Sequence, residues 1–166
     1  IITDNEAETF ELAVRNLGFS KVQIRRATHI ELTLESKPDQ EKFLKKLIQS
    51  GVLLNTNKEF ASLEMKSGRM LFDAKRQKFN PSVRHNEEGV TTLKILVREK
   101  QDFVGITKLA ALRSRLKMNE ITDVKIGTLW ELRIPTKSKN VAEETFRKLA
   151  NTHLFFNPHR HSAFLV

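Results

Sequence analysis

A chain of 166 residues with 39% hydrophobic and 30% charged residues has the composition of a globular protein and the length of one ordinary domain or two small ones. The absence of Cys excludes disulfides, thiolate metal sites and cysteine nucleophiles and suits a reducing cytoplasm; no apolar run nears the roughly 18 residues of a membrane span, and the first residues lack a secretory layout. A net charge of +9 favours anionic partners, nucleic acid or an acidic protein surface among them, without choosing between them.

In chain order, residues 6–17 read as a helix closed by Gly18, a residue suited to the left-handed C-cap. An extended block over 24–32 follows, then a helix over 39–49, a turn at Asn55-Thr56 and a short strand over 61–63. Residues 66–92 hold Gly68, Asn80-Pro81, Gly89 and the basic run Lys75-Arg76-Gln77-Lys78, and read as a linker. Its Met70-Leu71-Phe72 and Phe79 are expected to pack, and its 83–89 portion to be loose.

Residues 93–98 alternate and are rich in β-formers, which predicts a strand. Ile106, Leu109, Ala110, Leu112 and Leu116 then fall at helical spacing, with Arg113, Arg115 and Lys117 near the end where cations suit the helix dipole. Residues 123–134 predict two strands, with a turn or bulge at Gly127-Thr128 and a stop at Pro135. A helix over 140–151 carries Val141, Thr145, Phe146 and Leu149 on one side, and Asn157-Pro158 turns the chain into a last strand over 162–166.

These elements repeat. Ile24-Arg25-Arg26-Ala27-Thr28-His29-Ile30-Glu31-Leu32 aligns without gaps with Val124-Lys125-Ile126-Gly127-Thr128-Leu129-Trp130-Glu131-Leu132, 100 positions on. At an offset of 102, Leu53-Leu54-Asn55-Thr56 meets Phe155-Phe156-Asn157-Pro158, and Ala61-Ser62-Leu63 meets Ala163-Phe164-Leu165. In the intervening helices Leu44 and Leu47 correspond to Phe146 and Leu149. The expected fold is therefore α+β: two tandem ferredoxin-like units of β-α-β-β-α-β order, each an antiparallel sheet with helices on one face. The first unit would span 1–66, the basic linker 67–91 and the second unit 92–166. The opening strand of the first unit would lie before Ile1, with Ile1-Ile2 as its remnant.

Glu31 and Glu131 occupy equivalent repeat positions, but a Glu inside Ile-Glu-Leu or Trp-Glu-Leu is the polar half of a strand's period-two alternation rather than an acid/base pair. His153, His159 and His161 lack the third and fourth converging ligands that zinc requires and fit an exposed basic loop. No phosphate-binding glycine loop or nucleophile elbow occurs, so neither catalytic residues nor a cofactor or metal site is expected. The β-α-β-β-α-β order is shared with RNA-recognition domains, which stack bases on aromatic residues of two central strands. Only Trp130 occupies such a position and its counterpart is Ile30, so a core or interface aromatic is the better reading and nucleic acid the lesser one. Docking surfaces are expected at turns and at unequal repeat positions: Arg25, Arg26 and Thr28, Gly127, Thr128 and Trp130, Asn55, Asn157 and Pro158, together with the basic run. Asn55 and Asn157 also have a plain role, satisfying backbone groups of their turns.

Val124-Lys125-Ile126-Gly127 with Glu131-Leu132, then Phe156-Asn157-Pro158, resemble the pattern of PurS, the small subunit of phosphoribosylformylglycinamidine (FGAM) synthase. In the first copy Leu17-Gly18 and Ile30-Glu31-Leu32 carry the likeness. Thr128 stands where the family has Lys, Arg26-Ala27 where it has Ile-Gly, and Thr56 where it has Pro. The resemblance implies a tandem PurS pair forming an intrachain pseudo-dimer, in which fusion lets the two copies diverge. It further implies a non-catalytic, cytoplasmic subunit in purine biosynthesis that bridges a glutaminase subunit and a large ATP-dependent synthetase subunit, supports ammonia transfer and self-associates. The alternative is a basic ferredoxin-like nucleic-acid-binding or regulatory domain.

Overall fold

In a computed structural model of the chain, the described residues are 4–36, 39–55, 59–65, 68–73, 76, 78–82 and 87–166. Eleven elements follow in order: α1 (Asn5–Asn16), β1 (Gln23–Leu34), α2 (Gln40–Gln49), β2 (Ser62–Met65), β3 (Gly68–Asp73), β4 (Lys78–Ser82), β5 (Thr91–Glu99), α3 (Phe103–Leu116), β6 (Ile121–Ile134), α4 (Lys139–Ala150) and β7 (His161–Leu165). The strands form two antiparallel sheets, one of four strands in the order β1-β6-β5-β7 and one of three in the order β2-β3-β4. The architecture is mixed α+β, and no helix among the described residues is long and apolar enough to cross a membrane. The expected remnant strand at Ile1-Ile2 lies outside the described residues.

Three helices begin at a side-chain cap: Asp4 accepts from Ala7 N at 3.1 Å, Asp39 from Lys42 N at 3.2 Å and Ser138 from Val141 N at 3.4 Å. Each bond satisfies one of the amides that a first helical turn leaves unpaired.

The chain divides into two compact units that interleave in sequence, one from 1–31, 86–103 and 125–166 and the other from 32–85 and 104–124. Compact bodies and sequence copies are thus cut differently, and β1 and β6 each contribute residues to both bodies. In the first unit α1 and α4 supply Val14, Ala142 and Leu149 to a core with Ile24, Ile95, Val97, Trp130, Leu132 and Phe155. Phe10 lies 4.3 Å from Trp130, and Phe155 5.5 Å from it, between ring centroids. In the second unit Phe43, Leu47, Leu112, Met118 and Ile121 are buried, and Arg113 Nε donates to Ile121 O at 2.9 Å.

Two sequence expectations are corrected. Residues 123–134 are not two strands: β6 runs unbroken from Ile121 to Ile134, and β1 is likewise continuous. Gly127 is no turn. A Cβ built there would lie 2.7 Å from Val97 O and 2.9 Å from Arg98 Cγ, so the glycine permits close approach of β5 to β6. The second correction concerns the linker, which contains β3 and β4. Phe72 pairs with Phe79 across these strands, ring centroids 5.3 Å apart, so the apolar residues expected to pack do so as a sheet. Pro81, read as part of the linker, pairs with Met70 from the edge strand β4, where a missing N–H is tolerated. Residues 83–86 lie outside the described residues; beyond them Glu87 pairs with Arg133 and Glu88 with Lys137, so that end of the expected loose portion is tied down.

Hydrogen bonds repeat with the sequence. Ser50 Oγ donates to Leu47 O at 2.6 Å and accepts from Val52 N; 102 positions on, Thr152 Oγ1 donates to Leu149 O at 2.7 Å and accepts from Leu154 N. Asn55 and Glu59 exchange two bonds, Asn55 N to Glu59 Oε2 and Glu59 N to Asn55 O, and Asn157 and His161 do the same through His161 Nδ1. A left-handed position recurs as well, Gly51 at φ +66° matching His153 at +55°, 102 positions on; Gly18 at +92° and Lys117 at +54° each follow a helix, α1 and α3, but lie 99 positions apart, off the offsets of the repeat.

Candidate functional site

Strand alternation sorts the four-stranded sheet of the first unit into two faces. Leu93, Ile95 and Val97 of β5 pair with Leu132, Trp130 and Thr128 of β6 on the face that joins the core with α1 and α4. The intervening residues Lys94, Leu96 and Arg98, with Leu129 and Glu131, occupy the other face. There Lys94 lies directly opposite Glu131, with Nζ and Oε2 3.7 Å apart.

Arg98 forms the centre of this face. Its guanidinium pairs with Glu31 of β1 and stands 5.8 Å over the ring of Phe164 from β7, joining the two edge strands by side chains. His29 Nε2 lies 3.1 Å from Glu31 Oε1 and completes the group. Gly127, whose Cβ would strike the Arg98 side chain, leaves the space through which Arg98 extends. Arg98 Nε is buried and has no hydrogen-bond partner among the described residues. Burial disfavours the charge of Glu31, but the His29 hydrogen bond together with the charge and hydrogen bond of Arg98 outweigh it and hold the carboxyl below its usual range.

Sequence reasoning left Arg98, Lys94 and His29 out of the site. Their signal was two bases four apart in an otherwise apolar strand, facing the two Glu of the repeat. Glu31 and Glu131 are not joined as a carboxylate pair: each instead holds a base of β5. Electrostatically the face is a set of neutralised pairs around Leu96, which is buried, and the half-exposed Phe164.

The remaining expected residues fall as follows. Trp130 is 3% exposed and belongs to the core. It is closed to partners and to stacked bases. Arg25 is exposed, while Arg26 pairs with Asp4 and Glu6 at the start of α1; both line a shallow groove of about 310 Å³ beside α1 with Asp4, Glu8 and Glu11. Thr28 is exposed and Thr128 pairs with Val97 inside the sheet. Asn157 Oδ1 accepts from His159 N, and Lys100 Nζ donates to Pro158 O at 2.9 Å, so this turn is internally satisfied; Asn55 belongs to the other unit.

No protein-family model matches the chain, and neither does any curated protein or solved structure. Among the described residues no group of three or more His, Cys, Asp or Glu is placed to hold a metal ion. His161 is engaged at both ring nitrogens: Nδ1 accepts from Asn157 N and Nε2 lies 3.3 Å from Glu99 Oε1.

Proposed function

We propose that the protein is a tandem PurS-type subunit of FGAM synthase, in which two ferredoxin-like units form an intrachain pseudo-dimer. It bridges the glutaminase and the ATP-dependent synthetase subunits in the cytoplasm and contributes docking surface and support for ammonia transfer. The observation that carries this reading is the recurrence of the helix-end and turn hydrogen bonds at the offset of the sequence repeat, since two copies of one unit predict it. The PurS-like Gly127 and Glu131 add to it, the one admitting close strand approach and the other pairing with Lys94 on the sheet face opposite Trp130.

The test is reconstitution with the two large subunits, measuring glutamine-dependent formation of the amidine with and without this chain. The reading requires a complex containing all three chains and activity that rises on addition of the third. A chain that neither associates nor raises activity refutes it.

One observation favours a second reading, an anion-binding module. The unit of residues 32–85 and 104–124 carries fifteen Lys and Arg against eight Asp and Glu, a net +7 of the chain's +9. A salt-sensitive gel shift with single-stranded RNA, retained by a folded Trp130 variant, would promote it.

A further inference from the structure

Helices α1 and α4 turn charged residues to solvent, Glu6, Glu8 and Arg15 in the one and Glu144, Arg147 and Lys148 in the other. α3 departs from this pattern. Phe103–Leu116 contains no acidic residue, and its solvent side opens with Phe103, Val104 and Ile106, which are 67%, 55% and 64% exposed. Thr107 and Ala110, also exposed, continue that side without charge. Gly105 and Leu112 are buried on the side toward the core, so the helix offers solvent an apolar start where a surface helix is ordinarily polar.

The far end of α3 is cationic. Arg113, Arg115 and, just past the last turn, Lys117 are exposed. None of them has an ion pair among the described residues, and Arg113 engages Ile121 O through Nε alone. Between Ile106 and Arg115 the helix rises about 14 Å, so apolar and cationic groups are separated along its axis. Lys108 Nζ donates to Val52 O, which ties α3 to the segment following α2, and α2 exposes Lys45 and Lys46. The unit that holds 104–124 carries +7 of the chain's +9.

An occupant of this surface must supply negative charge and an apolar interior together. Nucleic acid supplies phosphates, but aliphatic Val104 and Ile106 gain nothing from a phosphate and cannot stack a base. A folded acidic protein would need an apolar cleft shaped to this helix end. An anionic bilayer supplies both in order of depth, acyl chains beneath a layer of charged headgroups, and needs no matched cleft. At 14 residues α3 is too short to cross such a surface and long enough to rest in it. We propose that α3 docks the protein on an anionic lipid surface, with Val104 and Ile106 entering the acyl boundary and Arg113, Arg115 and Lys117 remaining among the headgroups. The proposal rests on the anion-binding reading of this unit and names its occupant; the synthase reading neither requires nor opposes it.

Flotation of the full chain with vesicles tests it, using phosphatidylcholine alone and phosphatidylcholine mixed with phosphatidylserine. The expected result is flotation with the mixed vesicles only. Ile106→Gln withdraws an apolar side chain from the bilayer and should lower the partition coefficient about tenfold. Arg115→Gln removes one headgroup contact and should lower it about fivefold. Far-UV circular dichroism should be unchanged in both, because both side chains are exposed. If Ile106→Gln disturbs the fold, Val104→Gln decides. Equal flotation with both vesicles, or binding that the folded apolar variant leaves unchanged, overturns the proposal. So does a chain that ignores vesicles while shifting single-stranded RNA or holding a protein through α3. The RNA result keeps the anion-binding reading, whereas a chain that takes neither RNA nor vesicles ends both.

Discussion

Gly127→Ala separates close strand approach from a turn. The added Cβ would sit 2.7 Å from a backbone oxygen, Val97 O, 2.9 Å from Arg98 Cγ and 3.0 Å from Leu96 Cδ1. A backbone atom has no rotamer by which to retreat, so β5 and β6 must part or Arg98 must leave Glu31. Overpacking of this kind costs about 1–3 kcal/mol. Gly127 does not use a left-handed φ, so alanine is conformationally allowed and restriction of the unfolded chain returns about 0.4–1 kcal/mol. The net is a loss of about 1–2 kcal/mol. Urea unfolding followed by Trp130, the single tryptophan, reports on the unit that contains Gly127. An unfolding midpoint equal to or above that of the wild type refutes the close-approach account.

Trp130→Ala removes a ring packed against both Phe10 and Phe155 and should cost about 3–5 kcal/mol by urea unfolding; a loss below about 1 kcal/mol would contradict its burial. Lys117→Gly and His153→Gly should each stabilise by about 0.5–1 kcal/mol, because both residues occupy left-handed positions, the second of which holds Gly51 in the first copy; equal gains from alanine at the same sites would refute this. Glu99, through the Arg160 hydrogen bond, and Glu31 both have carboxyl pKa values lowered in the folded chain. Their stabilisation is complete above the unfolded carboxylate value of about 4.3 and is lost as pH falls through the lower folded values. Thermal unfolding against pH should therefore show stability falling on the acid side, with a shallower fall in Glu31→Gln.

Much of the fold was legible because local physics decides it. Helix 140–151 was readable from an apolar stripe, and the last strand from the Asn157-Pro158 turn before it. The repeat was readable because helix-end and turn chemistry is sequence-local: Ser50 and Thr152, or Asn55 and Asn157, make their bonds within four residues. Gly127 misled because a glycine that admits a neighbouring backbone looks the same in sequence as one that turns the chain. The strands of the linker were hidden by Gly68 and Asn80-Pro81, punctuation that an edge strand tolerates.

The candidate site was the least legible part. Which base pairs with Glu31 depends on β5 reaching across β6 from more than sixty positions away, a long-range pairing with no local trace. The sequence by itself determined the repeat, the helices, the Gly18 helix stop and the excess of basic charge, since these rest on neighbours within a turn or on composition. Only the tertiary structure decided that β1 and β6 run unbroken, that Trp130 is core, that Arg98 joins β1 and β7 on the other sheet face and that β7 lies at an edge. Those properties depend on which distant strands lie side by side, and period-two alternation assigns a residue to a face without saying what will meet it there.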